Sequence, residues 1–513
     1  MKGMTNAQKD TSDLATKSEV AKKANQSALD TVNSKVCTQG VYSDDEATGK
    51  GKIVFKNADN TALFTVTGIS GGSSSGANAM IKLEDKKSGV TVTATPATGT
   101  AKTAVTNSGG VAVFTGLAQG AWTFSAEGYI SQEESLIGGF QTSIILKSPI
   151  QVYGFSIAVN TANPSSRVTY PQIIFGENNL AYGKTPASGA GASCMNSWAG
   201  CELITGIKRQ TGSGSNWTDV ANKRSAIAGS SSTNVVTYVP TWYMKMTNDG
   251  TNINCAFSNK QIDITWKDYA GFLNTQRIGH FRVGCYACKS DFMSYAGLPK
   301  ASTPISDFIS GCQALGTGYD VMTWYQWFYL SALATLLYKS TDLQVAMAQG
   351  YTYTEHSSVQ SESALTFSND YGMAGGTSTA QQMAFFWIQN LWGNIYQFVG
   401  GAKTDSSYKL MTYAGYSSVD ENVFTKVTPE VGAAISGYIS KVAGTTDAGF
   451  FPTGVSSSTT TYFTDAGGVF NSRFPRVGGA CGSGYGAGPF SVYFDRTATY
   501  PSSDIGSRLS YRL

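Results

Sequence analysis

The chain has 513 residues, room for about two to four domains that each bury a core. Charged residues make up 14%, against roughly 25% in an average soluble domain, and the 57 glycines sit among abundant Ser, Thr, Asn and Tyr. This composition implies a β-rich, loop-rich extracellular or virion structure. The net charge of +3 is far from the strong basic excess that nucleic acid would call for, so nucleic acid is not expected as a partner.

In chain order, residues 1–37 come first, polar and rich in Ala, Lys and Ser. No apolar segment follows Met1–Asn6, so no secretion signal is expected. Leu14, Ala21 and Ala28 repeat every seven residues, and Leu29, Val32 and Val36 follow helical spacing. The pattern fits either a helical stem that anchors and oligomerises the protein, or a segment without fixed structure in isolation. Residues 38–76 hold two expected strands, Gly51–Lys56 and Ala62–Val66, then the linker-like Gly71-Gly72-Ser73-Ser74-Ser75-Gly76.

Residues 77–149 alternate in short runs divided by turn signals: Met80–Leu83, Val90–Thr93, Val111–Phe114, Trp122–Ala126 and Ser143–Lys147. That spacing predicts a small β-sandwich. The order Asn107-Ser108-Gly109-Gly110, Val113-Phe114, Gly116-Leu117, Gly120, Trp122, Phe124, Ala126 and Gly128-Tyr129 resembles a carboxypeptidase-regulatory or Ig-like module, which implies a spacer.

From residue 150 one domain runs to residue 513, opening on the strand-like Val152–Ile157. Val235–Met246 reads as a half-buried strand in which Pro240 forces an edge or a start. Trp324–Tyr338 is the longest apolar-leaning run, 15 residues against the ~20 of a membrane span, and is expected as a buried core helix. Trp324, Trp387 and Trp392 lie in apolar runs and are expected in the core.

The eight cysteines, Cys37, Cys194, Cys201, Cys255, Cys285, Cys288, Cys312 and Cys481, include one close pair, Cys285-Tyr286-Ala287-Cys288. A zinc site would want a second such pair or a histidine pair, but the chain has only His280 and His356. Free, mostly buried thiols of a protein assembled in a reducing bacterial cytoplasm are expected. Gly68-Ile69-Ser70-Gly71-Gly72 has the letters of a nucleophile elbow, but a Gly/Ser linker follows where a helix should stand. Asp44-Asp45-Glu46 and Glu133-Glu134 read as solvated surface, and a glycosidase needs two facing acids in a cleft.

Three C-terminal stretches carry a family resemblance: the aromatic run from Phe385 to Gly401, then Arg476-Val477-Gly478-Gly479, then Ile505-Gly506-Ser507-Arg508-Leu509. Asn163-Pro164 with Val168-Thr169-Tyr170, the segment Pro240–Lys245, and the set Asp342, Gln344, Met347 and Gly350 add to it. Their order resembles the C-type-lectin-like domain at the tip of bacteriophage tail proteins, including those diversified by retroelements. It is similar, more distantly, to the formylglycine-generating enzymes. The resemblance covers residues 150–513, with residues 175–235 matching only loosely.

The enzyme branch would need a reactive cysteine pair near the C-terminal glycines, where Cys481 stands alone. The related sulfoxide synthases would need three iron-binding histidines, and the chain has two. No enzyme, metal or cofactor is therefore expected. The lectin branch implies a binding face between Arg473 and Tyr500, made by Phe474, Ser483, Tyr485, Ser491, Tyr493, Asp495, Arg496 and Tyr500. Tyr, Ser and Gly also dominate antibody paratopes. Alternation along Phe490–Asp495 predicts that Phe490, Val492 and Phe494 point inward and that Ser491, Tyr493 and Asp495 point outward.

The expected fold class is α+β and β-rich: an N-terminal helical stem, a small Ig-like β-sandwich and a C-terminal C-type-lectin-like head. The expected function is that of a phage tail-fibre or tail-tip protein of the virion. It would bind a host-surface receptor, glycan or protein, without catalysis, and join other virion proteins through the stem as a homotrimer. The alternatives are a capsid head fibre that adheres to glycans, or a polysaccharide depolymerase, which release of reducing sugar would reveal.

Overall fold

The computed structural model describes residues 39–45, 50–56, 62–69, 76–138, 141–274, 276–352, 359–376 and 381–513, with side chains from Gly76 onward. The expected stem, the linker stretch 71–75, Cys37 and His356 lie outside the described residues. The chain divides into two compact units, residues 1–149 and 150–513. It is β-rich, with few helices.

In the first unit, Gln39–Asp45, Lys50–Lys56 and Ala62–Ile69 form a three-stranded antiparallel sheet. Its first strand, mostly polar, is additional to the two expected from sequence. Residues 77–146 build two sheets around one apolar core that includes Ile81, Leu83, Val92, Phe114, Trp122 and Phe124. One sheet holds Ala77–Leu83 between Gln141–Leu146 and Val111–Leu117; the other orders Lys102–Val105, Thr91–Pro96, Gly120–Ala126 and Gln132–Leu136. Every strand expected here is present. The two unexpected ones, Lys102–Val105 and Gln132–Leu136, are edge strands that bury almost nothing, so their sequences carry no alternation to read.

The second unit is organised around one helix, Trp324–Tyr338, of which all fifteen residues are buried. A helix apolar on every side survives only when enclosed. Thr323 starts it with a capping box: its hydroxyl accepts the Gln326 N–H, and the Gln326 side chain accepts the Thr323 N–H at 3.0 Å. Lys339, in left-handed conformation, ends it. Trp324, Trp387 and Trp392 are core residues, as expected.

Three sheets surround the helix core. A four-stranded sheet runs Val168–Thr169, Val152–Ala158, Asn252–Ser258, Tyr243–Asn248. A six-stranded sheet runs Asn216–Asp219, Lys208–Ser213, Asn234–Pro240, His280–Gly284, Leu509–Tyr511, Tyr319–Val321. A seven-stranded sheet runs Pro452–Val455, Ile435–Val442, Ala466–Val469, Gly488–Arg496, Phe474–Gly478, Tyr396–Phe398, Ile505–Ser507. The reading of residues 235–246 as a single strand is corrected: two strands of different sheets part at Thr241-Trp242. Pro240 ends an interior strand, opposite His280, where a missing N–H costs one terminal ladder bond.

The seven cysteines described are free, and six are buried. Cys288 Sγ lies 3.8 Å from Cys312 Sγ. Among the described residues no three His, Cys, Asp or Glu side chains gather as metal ligands, and no helix is long and apolar enough to cross a membrane.

One buried carboxyl gives the unit a pH signature. Burial pushes Asp268 up to about 6, although Arg277, the Thr241 hydroxyl and the Gly271 N–H all favour its charged form. An unfolded Asp titrates near 3.9, so between about pH 4 and 6 the folded chain holds a proton that the unfolded chain has lost. This contribution to stability is greatest below pH ~4 and is lost as pH rises through about 6, a span of about 3 kcal/mol. Asp268→Asn does not titrate. Thermal melts of both proteins from pH 7 to 4.5 should show wild type gaining on the variant as pH falls, and parallel curves would disprove the assignment.

Candidate functional site

The strand pair Phe474–Gly478 and Gly488–Arg496 is held from behind by the buried helix. Ser331 Oγ donates to the Pro489 carbonyl at 3.0 Å, and Trp324 meets Phe494 edge-on at 5.6 Å. Phe490 packs edge-on against Phe450 at 4.9 Å. Bracing of this kind pre-organises a platform, which lowers the entropy cost of any binding to it.

On this pair, Arg476 lies opposite Tyr493 in antiparallel register. Its guanidinium sits 3.8 Å from the Tyr396 ring centroid and 4.9 Å from that of Tyr493. It grips Asp495 with two bonds, Nε to Oδ1 at 3.0 Å and Nη2 to Oδ2 at 2.9 Å. Burial opposes the Arg476 charge, but Asp495 and its neighbours outweigh burial and hold its pKa above the ordinary guanidinium value. Asp495 Oδ2 also meets Arg496 Nη1 at 3.0 Å, and Arg496 lies 4.7 Å over the Tyr500 ring. The chain thus lays out Tyr396, Arg476, Tyr493, Asp495, Arg496 and Tyr500 as one continuous stack of rings and charges.

The loop between the two strands turns through a short 3-10 segment, Gly484–Gly486. Ser483 Oγ accepts the Ala480 N–H at 2.9 Å and donates to the Tyr396 hydroxyl at 3.3 Å, tying the loop to the stack. Tyr485 and Tyr500 are the most open aromatics here, 44% and 45% exposed. Tyr485 also lines a shallow cleft of about 420 Å³ with Asn163, Ser340, Asp342 and Thr460.

Six of the eight residues singled out from sequence therefore lie at the surface or half-buried: Ser483, Tyr485, Tyr493, Asp495, Arg496 and Tyr500. Two do not. Phe474 is buried against Phe424, edge-on at 6.3 Å. Ser491, expected to face outward, is fully buried. The alternation fails because both faces of the strand's first five residues are covered. The ladder slips between Val477 and Gly478, and the Asp465 carboxylate accepts the Phe490 N–H at 2.8 Å. Tyr493 is only half open, and burial pushes its hydroxyl up, so it remains a proton donor.

Sequence reasoning missed Arg476 and Tyr396, both buried, as the support beneath this face. Both stand inside the quoted motifs, yet a cation over a ring joins residues 80 positions apart and leaves no local pattern. The face offers fixed rings, guanidinium groups and hydroxyls. The described histidine, His280, is on another sheet, with Nε2 3.1 Å from Arg282, and burial lowers its pKa.

No protein-family description matches this chain, and no curated protein does. Among solved structures it is similar to the Major Tropism Determinant, U1 variant, at 10% identity and a TM-score of 0.24, over 94% of this chain and 97% of that one. It is similar to the Bacillus anthracis TIE protein at 10% identity and a TM-score of 0.15, over 41% of this chain and 33% of that one. With the fimbrial protein FimP from Actonomyces oris the identity is 11% and the TM-score 0.15, over 41% and 60%. The chain thus spans a third of the length of the TIE protein and three fifths of that of FimP.

Proposed function

We propose that this chain is a receptor-binding protein of a phage virion, with a C-type-lectin-like head that binds a host-surface glycan or protein without catalysis. The observation that carries the reading is the braced stack Tyr396–Arg476–Tyr493–Asp495–Arg496–Tyr500, with the open Tyr485 on the loop that Ser483 ties to Tyr396. Tyr and Arg dominate binding hot spots because they give large contact area and directed hydrogen bonds for little lost rotamer freedom. The order of the three C-terminal sequence stretches supports the same reading. An Ig-like spacer and an N-terminal stem that trimerises and attaches to other virion proteins complete it, and avidity among the copies makes weak single-site contacts sufficient.

The test is adsorption of purified protein to candidate host cells, comparing wild type with a Tyr485→Ala/Arg496→Ala/Tyr500→Ala variant. These side chains lie at the surface or half-buried, so the fold should survive, as circular dichroism can verify. Each hot spot carries about 2 kcal/mol, so adsorption should fall at least ~30-fold. Unchanged adsorption by the folded variant would refute the face as the receptor site.

A further inference from the structure

A second cavity, of about 420 Å³ and in the size range of small-ligand sites, opens beside the strand Tyr243–Asn248. Its walls include Tyr243, Tyr269 and Phe272, and its charged members are Lys267, Asp268 and Arg277. None of them belongs to the Tyr/Arg face described above. The position of the guanidinium is over-determined. Arg277 Nε pairs with Asp268 Oδ2 at 2.7 Å, Nη2 donates to the Thr241 carbonyl at 3.0 Å, and the plane lies 4.4 Å over the Tyr243 ring. Asp268 in turn accepts from the Thr241 hydroxyl at 2.8 Å and the Gly271 N–H at 3.1 Å. Gly279 lets the chain pass close by, since a Cβ there would stand 3.1 Å from Arg277 Nη1.

Two donors remain. Among the described residues neither Arg277 Nη1 nor the Lys267 ammonium has a hydrogen-bond or ion-pair partner, and both residues line the same cavity. The Asp268 side chain is wholly inaccessible, whereas that of Arg277 is 36% exposed, so the carboxylate is sealed behind the cation that it orients. Such an arrangement presents net positive charge at the opening of a pocket with aromatic walls. Its complement is a carboxylate attached to a ring with an apolar face.

We propose that this cavity is a binding site for an acidic sugar, a uronic or sialic acid residue. The carboxylate sits on Arg277 Nη1 and Lys267, and the ring's C–H face lies on Tyr269 and Phe272. The anion-binding part stands on the geometry alone. The choice of a saccharide as the carrier of the carboxylate rests on the reading of the chain as a host-surface binder.

The test is calorimetric titration of the purified full chain with glucuronate, N-acetylneuraminate, glucose and acetate. The expected result is saturable binding of at least one acidic sugar, none of glucose, and acetate weaker by about tenfold or more. Lys267→Gln, at a partner-free side chain, leaves the fold intact and should weaken binding about tenfold; Arg277→Gln should weaken it further. Glucose binding as well as glucuronate, acetate binding as well as either sugar, indifference to both substitutions, or no binding of either acid would each overturn the proposal. The Tyr485→Ala/Arg496→Ala/Tyr500→Ala variant keeps this cavity and should titrate like wild type. Loss of cell adsorption in that variant and loss of sugar binding in Lys267→Gln are therefore separate failures of separate claims.

Discussion

Arg512→Ala should cost the second unit about 3–5 kcal/mol, the penalty of leaving a buried charge without its partner. Arg512 Nη2 lies 2.6 Å from Asp320 Oδ2, with both side chains sealed from water. The same arginine reaches the Gly415 carbonyl at 3.0 Å and the Phe272 carbonyl at 3.1 Å. Asp320 also accepts the Ser417 N–H at 2.8 Å and the Val321 N–H at 2.8 Å. Burial already raises the Asp320 pKa against the pull of Arg512, so without the arginine the carboxyl must take up a proton to stay inside. The loss should therefore be smaller at pH 5 than at pH 8. A second substitution, Asp320→Asn, keeps an acceptor for the Ser417 N–H and removes the orphaned charge, so the double variant should recover more than half of the loss. Urea unfolding of the three proteins measures this. As a reference, Arg224→Ala breaks a pair at which both side chains are 56% exposed, and should cost under ~1 kcal/mol. A loss below ~1 kcal/mol for Arg512→Ala would show that the pair holds nothing.

That bond also shows what could be read from the sequence and what could not. The strands of residues 77–146 were legible because half-buried strands alternate, and the buried helix because Trp324–Tyr338 is the longest apolar-leaning run of the chain. The carboxyl-terminal strand Leu509–Tyr511 was not. It enters the six-stranded sheet between His280–Gly284 and Tyr319–Val321, partners more than 180 residues away. Arg508 and Arg512 on either side of it are buried, against the usual habit of arginine, because carbonyls and one carboxylate from distant segments meet them. The candidate site divides in the same way. Its tyrosines were visible as residue types, whereas the stacking of Arg476 on Tyr396 and the inward turn of Ser491 come from long-range pairing and a slipped register.

Trp392→Ala should be as damaging, at about 3–5 kcal/mol, because it empties an indole-sized space in a close-packed core. Trp392 is fully buried, and its Nε1–H donates to the Ala348 carbonyl at 3.0 Å. The aromatic run around it is neither a helix nor a long strand: Asn390, Gly393 and Asn394 take left-handed conformations, and the backbone groups left over are met by side chains. Arg508 Nη2 donates to the Gln389 carbonyl at 2.8 Å, and Gln397 Nε2 to the Leu391 carbonyl at 3.0 Å. The Gly393 N–H donates to the Gly478 carbonyl at 3.1 Å, which ties this irregular segment to the strand that carries Arg476. Trp392→Phe keeps most of the volume but strands the Ala348 carbonyl, so it should cost only about 1–3 kcal/mol. Equal losses in the two variants would mean that the hydrogen bond, and not the packing, holds the segment. Since the run braces from behind the strand that carries the proposed binding face, that proposal predicts that Trp392→Ala also weakens cell adsorption at temperatures where the protein is still folded, although Trp392 itself is fully buried.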